Sequence, residues 1–151
     1  MDDDPLDILR DMLLRINRPR MHALVMKHAG VSLDRALFPL VMRLGREGAA
    51  GVAELAGAFG LDQSTVSRQL TQLESLALIE RRPSTSDQRI REAMLTAAGR
   101  KVYEQLETAR LRLKDEVLAN WSEADKKRAA RMLRKLSIAV DSFNARHADS
   151  D

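Results

Sequence analysis

The chain has 151 residues, of which 44% are hydrophobic, 31% charged and only 3% aromatic, with a formal net charge of +3. This length suits one compact domain with helical extensions, and a composition rich in Leu, Ala and Arg is that of a mostly helical protein. The absence of Cys excludes disulfides, thiolate catalysis and thiol redox sensing. No apolar run approaches the ~20 residues of a membrane span, and the acidic start MDDDP has no signal- or transit-peptide pattern, so a soluble, cytoplasmic protein with no membrane partner is expected.

In chain order, Leu9, Met12, Leu13 and Ile16 recur at spacings of three and four, which predicts an amphipathic helix over 6–16. Pro19 lacks a donor N–H and predicts a break near Asn17–Arg18, followed by a second helical piece to about Ala29 that Gly30 ends. Ser32 is placed to cap the next helix, which turns Leu37, Leu40, Val41 and Leu44 inward and has an irregular start at Pro39. Gly45, Gly48 and Gly51 close that segment. A short helix over 52–59, the turn Gly60-Leu61-Asp62 and a second helix follow, with Asp62 as N-cap and Val66, Leu70, Leu73 and Ala77 as one buried stripe. Two segments with partial alternation, 78–82 and 90–95, are joined by the turn-rich stretch 83–89 and predict a β-hairpin. Thr96 caps a long helix from Ala97 to about Asn120. Ser122 and Asp125 form a capping-box pattern for a last helix to about Asn144, and 147–151 is expected to be a frayed tail.

The stretch LDQSTVSRQL at 61–70 bears on function. Ser and Thr are mediocre helix formers because their hydroxyls compete with the backbone, and a solvated helix face more often carries Glu and Lys. Here the first turns carry Gln63, Ser64, Thr65, Ser67 and Arg68, with Thr71 and Gln72 one turn on, away from the apolar stripe. Two helices joined by a three-residue Gly-containing turn, followed by a hairpin, form a winged helix-turn-helix. Its second helix lies in the DNA major groove, where Ser, Thr, Gln and Arg can read base edges. Between Arg81 and Lys101 six basic residues face two acidic ones. A basic hairpin beside a polar helix suits phosphate contacts, with Arg82, Ser86, Asp87, Gln88, Arg89 and Arg91 as the wing candidates.

From about Leu33 to Phe143 the chain resembles the MarR family of bacterial transcriptional regulators. The resemblance rests on the wing signature Asp87-Gln88-Arg89 with Leu95-Thr96, on VAELAGAFGLDQSTVSRQLTQLESLALIERR, and on the TAAGR that opens the long helix. It implies a homodimer built from helices in 1–31 and 97–146 around a winged lobe, 32–96, on double-stranded DNA at a pseudo-palindromic operator. It also implies repression, and release by a small aromatic or phenolic effector where the dimerisation helices meet the lobe. In this chain that junction draws on His22, Met26, Phe38 and Met42. Two departures stand out: Gln88 replaces the usual Arg or Lys at the wing's middle position, and Pro19 interrupts a usually continuous first helix.

Rival readings are an enzyme and a winged-helix protein-interaction module without specific DNA binding. His22, His28 and His147 are the only histidines, and the first two are spaced six apart rather than the four that aligns metal ligands. No nucleophile motif is present, and Gly45, Gly48 and Gly51 lack the strand–turn–helix setting of a phosphate loop. No catalytic residue, metal or cofactor is therefore expected. Met12, Met21, Met26, Met42, Met94 and Met132 are read as core filler, with ligand-pocket lining as the alternative, and Trp121 as packing between the last two helices.

Overall fold

A computed structural model describes residues 4–16 and 18–147. In chain order the elements are α1 (Pro5–Ile16), α2 (Pro19–Ala29), α3 (Phe38–Glu47), β1 (Ala50–Gly51), α4 (Val52–Phe59), α5 (Gln63–Ser75), β2 (Ile79–Pro83), β3 (Arg91–Leu95), α6 (Ala97–Val117) and α7 (Glu123–His147). The fold is mostly α with a small antiparallel sheet in the order β1-β3-β2. The chain forms two compact units, one up to Arg112 and one from Leu113 onward. Asn17 and the expected frayed tail beyond His147 lie outside the described residues.

In the first unit most of the local signals act as read. Arg18 is extended (ψ 145°) and α2 restarts with Pro19 at its N-terminus, where a missing N–H costs nothing. Gly30 closes α2 in the left-handed region at φ 66°. The expected cap at Ser32 is not formed. The chain instead makes a turn at Asp34, whose carboxylate accepts from the Ala36 N–H at 2.7 Å and whose carbonyl accepts from Leu37 and Phe38. Pro39 explains the displacement: it confines helical geometry to residues that need not supply an N–H at that point.

The core is built where the stripes pointed. Val41, Leu55, Val66, Leu73 and Leu106 are each 0% exposed, with Leu40, Leu44 and Leu70 at 1%. Gly45 is in van der Waals contact with the Tyr103 ring, so that a Cβ there would overlap it. Gly99 brings the start of α6 against the Leu78 carbonyl, leaving no room for a methyl group. The second approach gives TAAGR a packing reason for its glycine.

Further expectations change, and one element is new. Ala77 does not extend the α5 stripe: the helix ends at Ser75, and Ala77 is exposed with a left-handed φ of 56°. The Thr96 hydroxyl donates to the Ala77 carbonyl (2.7 Å) and accepts from the Gly99 N–H (3.0 Å), so the cap of α6 also holds this bend. A third strand, β1, pairs Ala50 with Ala93 and Gly51 with Glu92. Two residues are too short to show alternation, and tertiary pairing alone reveals them. Finally, α6 stops at Val117 rather than near Asn120, and α7 runs to His147 rather than Asn144.

The second unit holds the end of α6 and all of α7. Ser122 accepts from the Asp125 N–H at 3.1 Å as the cap of α7, and its hydroxyl donates to the Asp125 carboxylate at 2.6 Å. α7 has no buried residue along its length.

Candidate nucleic-acid interface

The Gly60 turn is set by its left-handed conformation, φ 63°, with Leu61 N–H donating to the Ala56 carbonyl at 3.0 Å. Asp62 then caps α5. Its carboxylate accepts from the Ser64 hydroxyl, from the Thr65 hydroxyl at 2.8 Å and from the Thr65 backbone N–H at 2.8 Å. Those bonds, with the Ser64 hydroxyl the largest, hold the Asp62 carboxyl well below the usual carboxylate range. Two of the polar residues singled out in the sequence, Ser64 and Thr65, thus spend hydroxyl protons on the start of their own helix. The Thr65 oxygen in turn accepts from the Arg68 guanidinium, and Ser64 stays exposed.

Beyond that turn the exposed face of α5 presents Gln63, Ser64, Arg68, Thr71 and Gln72, while Thr65 and Ser67 are half-buried. The Arg68 guanidinium reaches back to the Thr65 hydroxyl at 3.2 Å. Thr71 donates to the Ser67 carbonyl at 3.0 Å. Opposite, Val66, Leu70 and Leu73 are buried, so the polar residues form the outward side of a helix anchored by its apolar stripe.

The hairpin pairs Ile79 with Leu95 through to Pro83 with Arg91. Its tip is organised by residues that turn chemistry explains. Asp87 accepts from the Arg89 N–H at 2.9 Å, and Ser84 N–H donates to the Ile90 carbonyl at 2.7 Å. Ser84 is only 3% exposed and shares a hydroxyl hydrogen bond of 2.9 Å with Ser86. Asp87 therefore holds the turn, and among the described residues the Arg89 guanidinium makes no ion pair.

The other basic side chains are more engaged than composition suggested. Arg82 pairs with Glu80 at 2.6 Å, Arg91 donates to the Arg81 carbonyl at 2.9 Å, and Arg100 donates to the Gly45 carbonyl at 3.1 Å. Arg81 turns inward to α5, a role that reading the hairpin only as a charge cluster missed. The signal was present: Arg81 is two residues from buried Ile79, hence on the same side of the strand.

Of the residues expected at an effector junction, His22 and Phe38 come together edge to face with ring centroids 5.7 Å apart, and His22 Nε2 lies 3.0 Å from the Leu33 carbonyl. Met26 is half-buried on α2. Met42 is buried and lines a separate hollow with Pro39, Arg43, Arg46, Ala58 and Phe59. Among the described residues no three His, Asp or Glu side chains gather as a metal site, and no helix is long and apolar enough to cross a membrane.

Helix, glycine turn, outward-polar helix and two-stranded hairpin define a winged helix-turn-helix protein. A family model described as MarR family matches residues 33–90. The Bacillus subtilis protein YxaD, described as an uncharacterized HTH-type transcriptional regulator, is 33% identical over 108 residues, covering 72% of this chain and 76% of that one. HTH-type transcriptional regulator BilQ of Clostridium symbiosum is 31% identical over 107 residues, 71% of this chain and 73% of its own. The crystal structure of MarR matches with a TM-score of 0.75 at 25% identity and 97% coverage of each chain. A MarR family protein from Bacillus stearothermophilus shares the fold with a TM-score of 0.75 at 22% identity, covering 93% of this chain and 99% of that one. The chain belongs to the MarR family and is a transcriptional regulator with a DNA-binding helix-turn-helix.

Proposed function

We propose that the chain is a homodimeric repressor that binds a pseudo-palindromic operator, with α5 in the major groove and the wing at the adjacent minor groove. One observation supports this most: α5 is anchored by a fully buried stripe while Gln63, Ser64, Arg68 and Gln72 stand exposed on its outer side. Arg68 is the base-reading side chain, since a guanidinium can engage guanine through two hydrogen bonds. Ser64, Ser67 and Gln72 add base or phosphate contacts. Arg89, at a tip held by Asp87, supplies the wing's charge to a narrow minor groove, where negative potential is enhanced. The unpartnered apolar faces of α1 and α7 support the two-fold assembly. The His22–Phe38 pair supports a small aromatic effector on the same unit, an apolar setting with one titratable ring.

Selection from a randomised duplex pool, followed by binding titrations at several salt concentrations, tests the proposal. A two-fold motif with half-sites one helical turn or a multiple apart is the expected outcome. Arg68→Ala then costs about 1–3 kcal/mol per half-site and relaxes one base position. Arg89→Ala weakens binding to all sequences and lowers the salt slope by about one. Failure to enrich any sequence would favour a protein-interaction module instead.

A further inference from the structure

We infer that Arg81 is a positioning residue that pins the wing to the middle of the recognition helix, so that the two dock on DNA as one body. The inference rests on the DNA-binding reading above. Its basis is a continuous run of hydrogen bonds between the two DNA-facing elements. Arg91, next to the wing tip, donates from its guanidinium to the Arg81 carbonyl at 2.9 Å. Across the hairpin, Arg81 lies in register with Ala93. The Arg81 guanidinium then crosses to α5, where Nη2 donates to the Ser67 carbonyl at 3.1 Å and to the Thr71 hydroxyl at 3.2 Å. Nε sits 3.6 Å from the Glu74 carboxylate. Thr71 completes the knot by donating its own proton to the same Ser67 carbonyl at 3.0 Å.

Three physical points favour positioning over phosphate contact. The Arg81 side chain is only 20% exposed, whereas Arg82, its neighbour on the other side of the strand, is 63% exposed. Strand alternation thus sends one guanidinium to the helix and one to solvent. Second, the Arg81 donors are directed at the Ser67 carbonyl and the Thr71 hydroxyl, which bracket Arg68 along α5, so they hold the stretch that carries it. Third, charge-assisted hydrogen bonds are stronger than neutral ones, and a part-buried set is less screened by salt than an exposed pair. Thr71 is recast as the anchor of this pin. Its proton goes to Ser67 and its oxygen accepts from Arg81, which leaves it poorly equipped to read a base.

The test uses the full-length protein and the operator found by selection. Arg81→Ala should lower operator affinity about tenfold with nonspecific binding and the salt slope unchanged. In the unmodified protein the penalties of Arg68→Ala and Arg89→Ala should be non-additive by about fivefold, because a rigid link couples the two contacts. In the Arg81→Ala background they should become additive. Thr71→Val, which keeps the β-branched shape, should reduce the coupling in the same direction without altering base preference. A fall of about one in the salt slope for Arg81→Ala would make Arg81 a phosphate contact, and a changed base preference for Thr71→Val would make Thr71 a reader. Either result overturns the inference, as does coupling that survives both substitutions. Amide exchange on the free protein separates this outcome from a failure of the DNA reading. Arg81→Ala should speed exchange across 67–75 about tenfold whether or not an operator exists, and unchanged exchange there counts against the pin.

Discussion

The winged lobe and the terminal helices use apolar residues in opposite ways. From α3 to β3 most large aliphatic side chains are covered, with Val41, Leu55, Val66 and Leu73 at 0% exposure, and the exposed ones, Leu61, Leu76 and Ile90, lie outside the helices and strands. In α1, Leu6, Ile8, Leu14 and Ile16 are 59%, 57%, 63% and 50% exposed. In α7, Met132, Leu133, Ile138 and Phe143 are 59%, 50%, 60% and 53% exposed. Neither terminal helix contains a buried residue. Apolar residues repeat along helices in both regions, so periodicity alone does not distinguish them. The difference is whether the chain itself supplies the surface that covers the stripe. The lobe's helices have one another and a sheet; the terminal helices present apolar faces on which none of their described residues is buried.

The comparison is challenged most strongly in the core. Leu55→Ala should cost about 2–5 kcal/mol through lost transfer energy and the cavity left behind. Thermal or denaturant unfolding should register it fully, because Leu55 is 0% exposed on α4. Leu14→Ala on α1 should be nearly neutral in a monomer. A comparable cost there that depends on protein concentration would show that a partner covers α1.

Next in size is a direct attack on the uncovered faces. Replacing Leu133 and Val140 with Glu, at positions 50% and 44% exposed, should shift the protein to monomers by light scattering. The helical signal and Leu55 burial should survive, since neither side chain is buried. A dimer that persists would place the interface elsewhere.

A smaller effect tests the start of the recognition helix through acid. Hydrogen bonds from Ser64 and Thr65 depress the folded-state pKa of Asp62. Its contribution to stability is therefore present above the unfolded carboxylate value, about 3.9, and is lost as pH falls through the folded value. Asp62→Ala should lower the thermal midpoint at neutral pH, and the gap between the two proteins should narrow on acidification below about pH 4. A constant gap down to the lowest pH at which both fold would assign the cap's contribution to the neutral acid as well.

The smallest effect lies at the bend after α5. Ala77 occupies the left-handed region at φ 56°, which costs a residue with a Cβ roughly 1 kcal/mol. Ala77→Gly should relieve that strain, offset in part by the larger entropy of glycine in the unfolded chain. The expected net change is a rise in stability of under about 1 kcal/mol. A clear loss would mean that the methyl group has contacts that outweigh its strain.

Local chemistry made much of this protein legible in its sequence. Gly30 and Gly60 closed helices in left-handed turns, Asp62, Thr96 and Ser122 capped, and Pro19 set the restart of α2. Each sets its turn or cap within a few residues of itself. The exposed polar face of α5 was legible for the same reason, because a 3.6-residue period relates a buried stripe to its opposite side without reference to anything else. Features that depend on contacts distant in sequence could not be read in this way. β1 exists only because Ala93 and Glu92 pair with it, and the need for glycine at position 99 arises from a carbonyl at Leu78. Ser32 was the one cap the local sequence pointed to, whereas the turn forms at Asp34, ahead of Pro39 and the buried Leu37. The basic hairpin shows the same division. Composition placed Arg81, Arg82, Arg89 and Arg91 together and strand alternation set Arg82 beside Glu80, but only tertiary structure supplied the α5 acceptors of Arg81 and the cross-strand carbonyl of Arg91. Charge is a property of the residue, whereas its partner is a property of the fold.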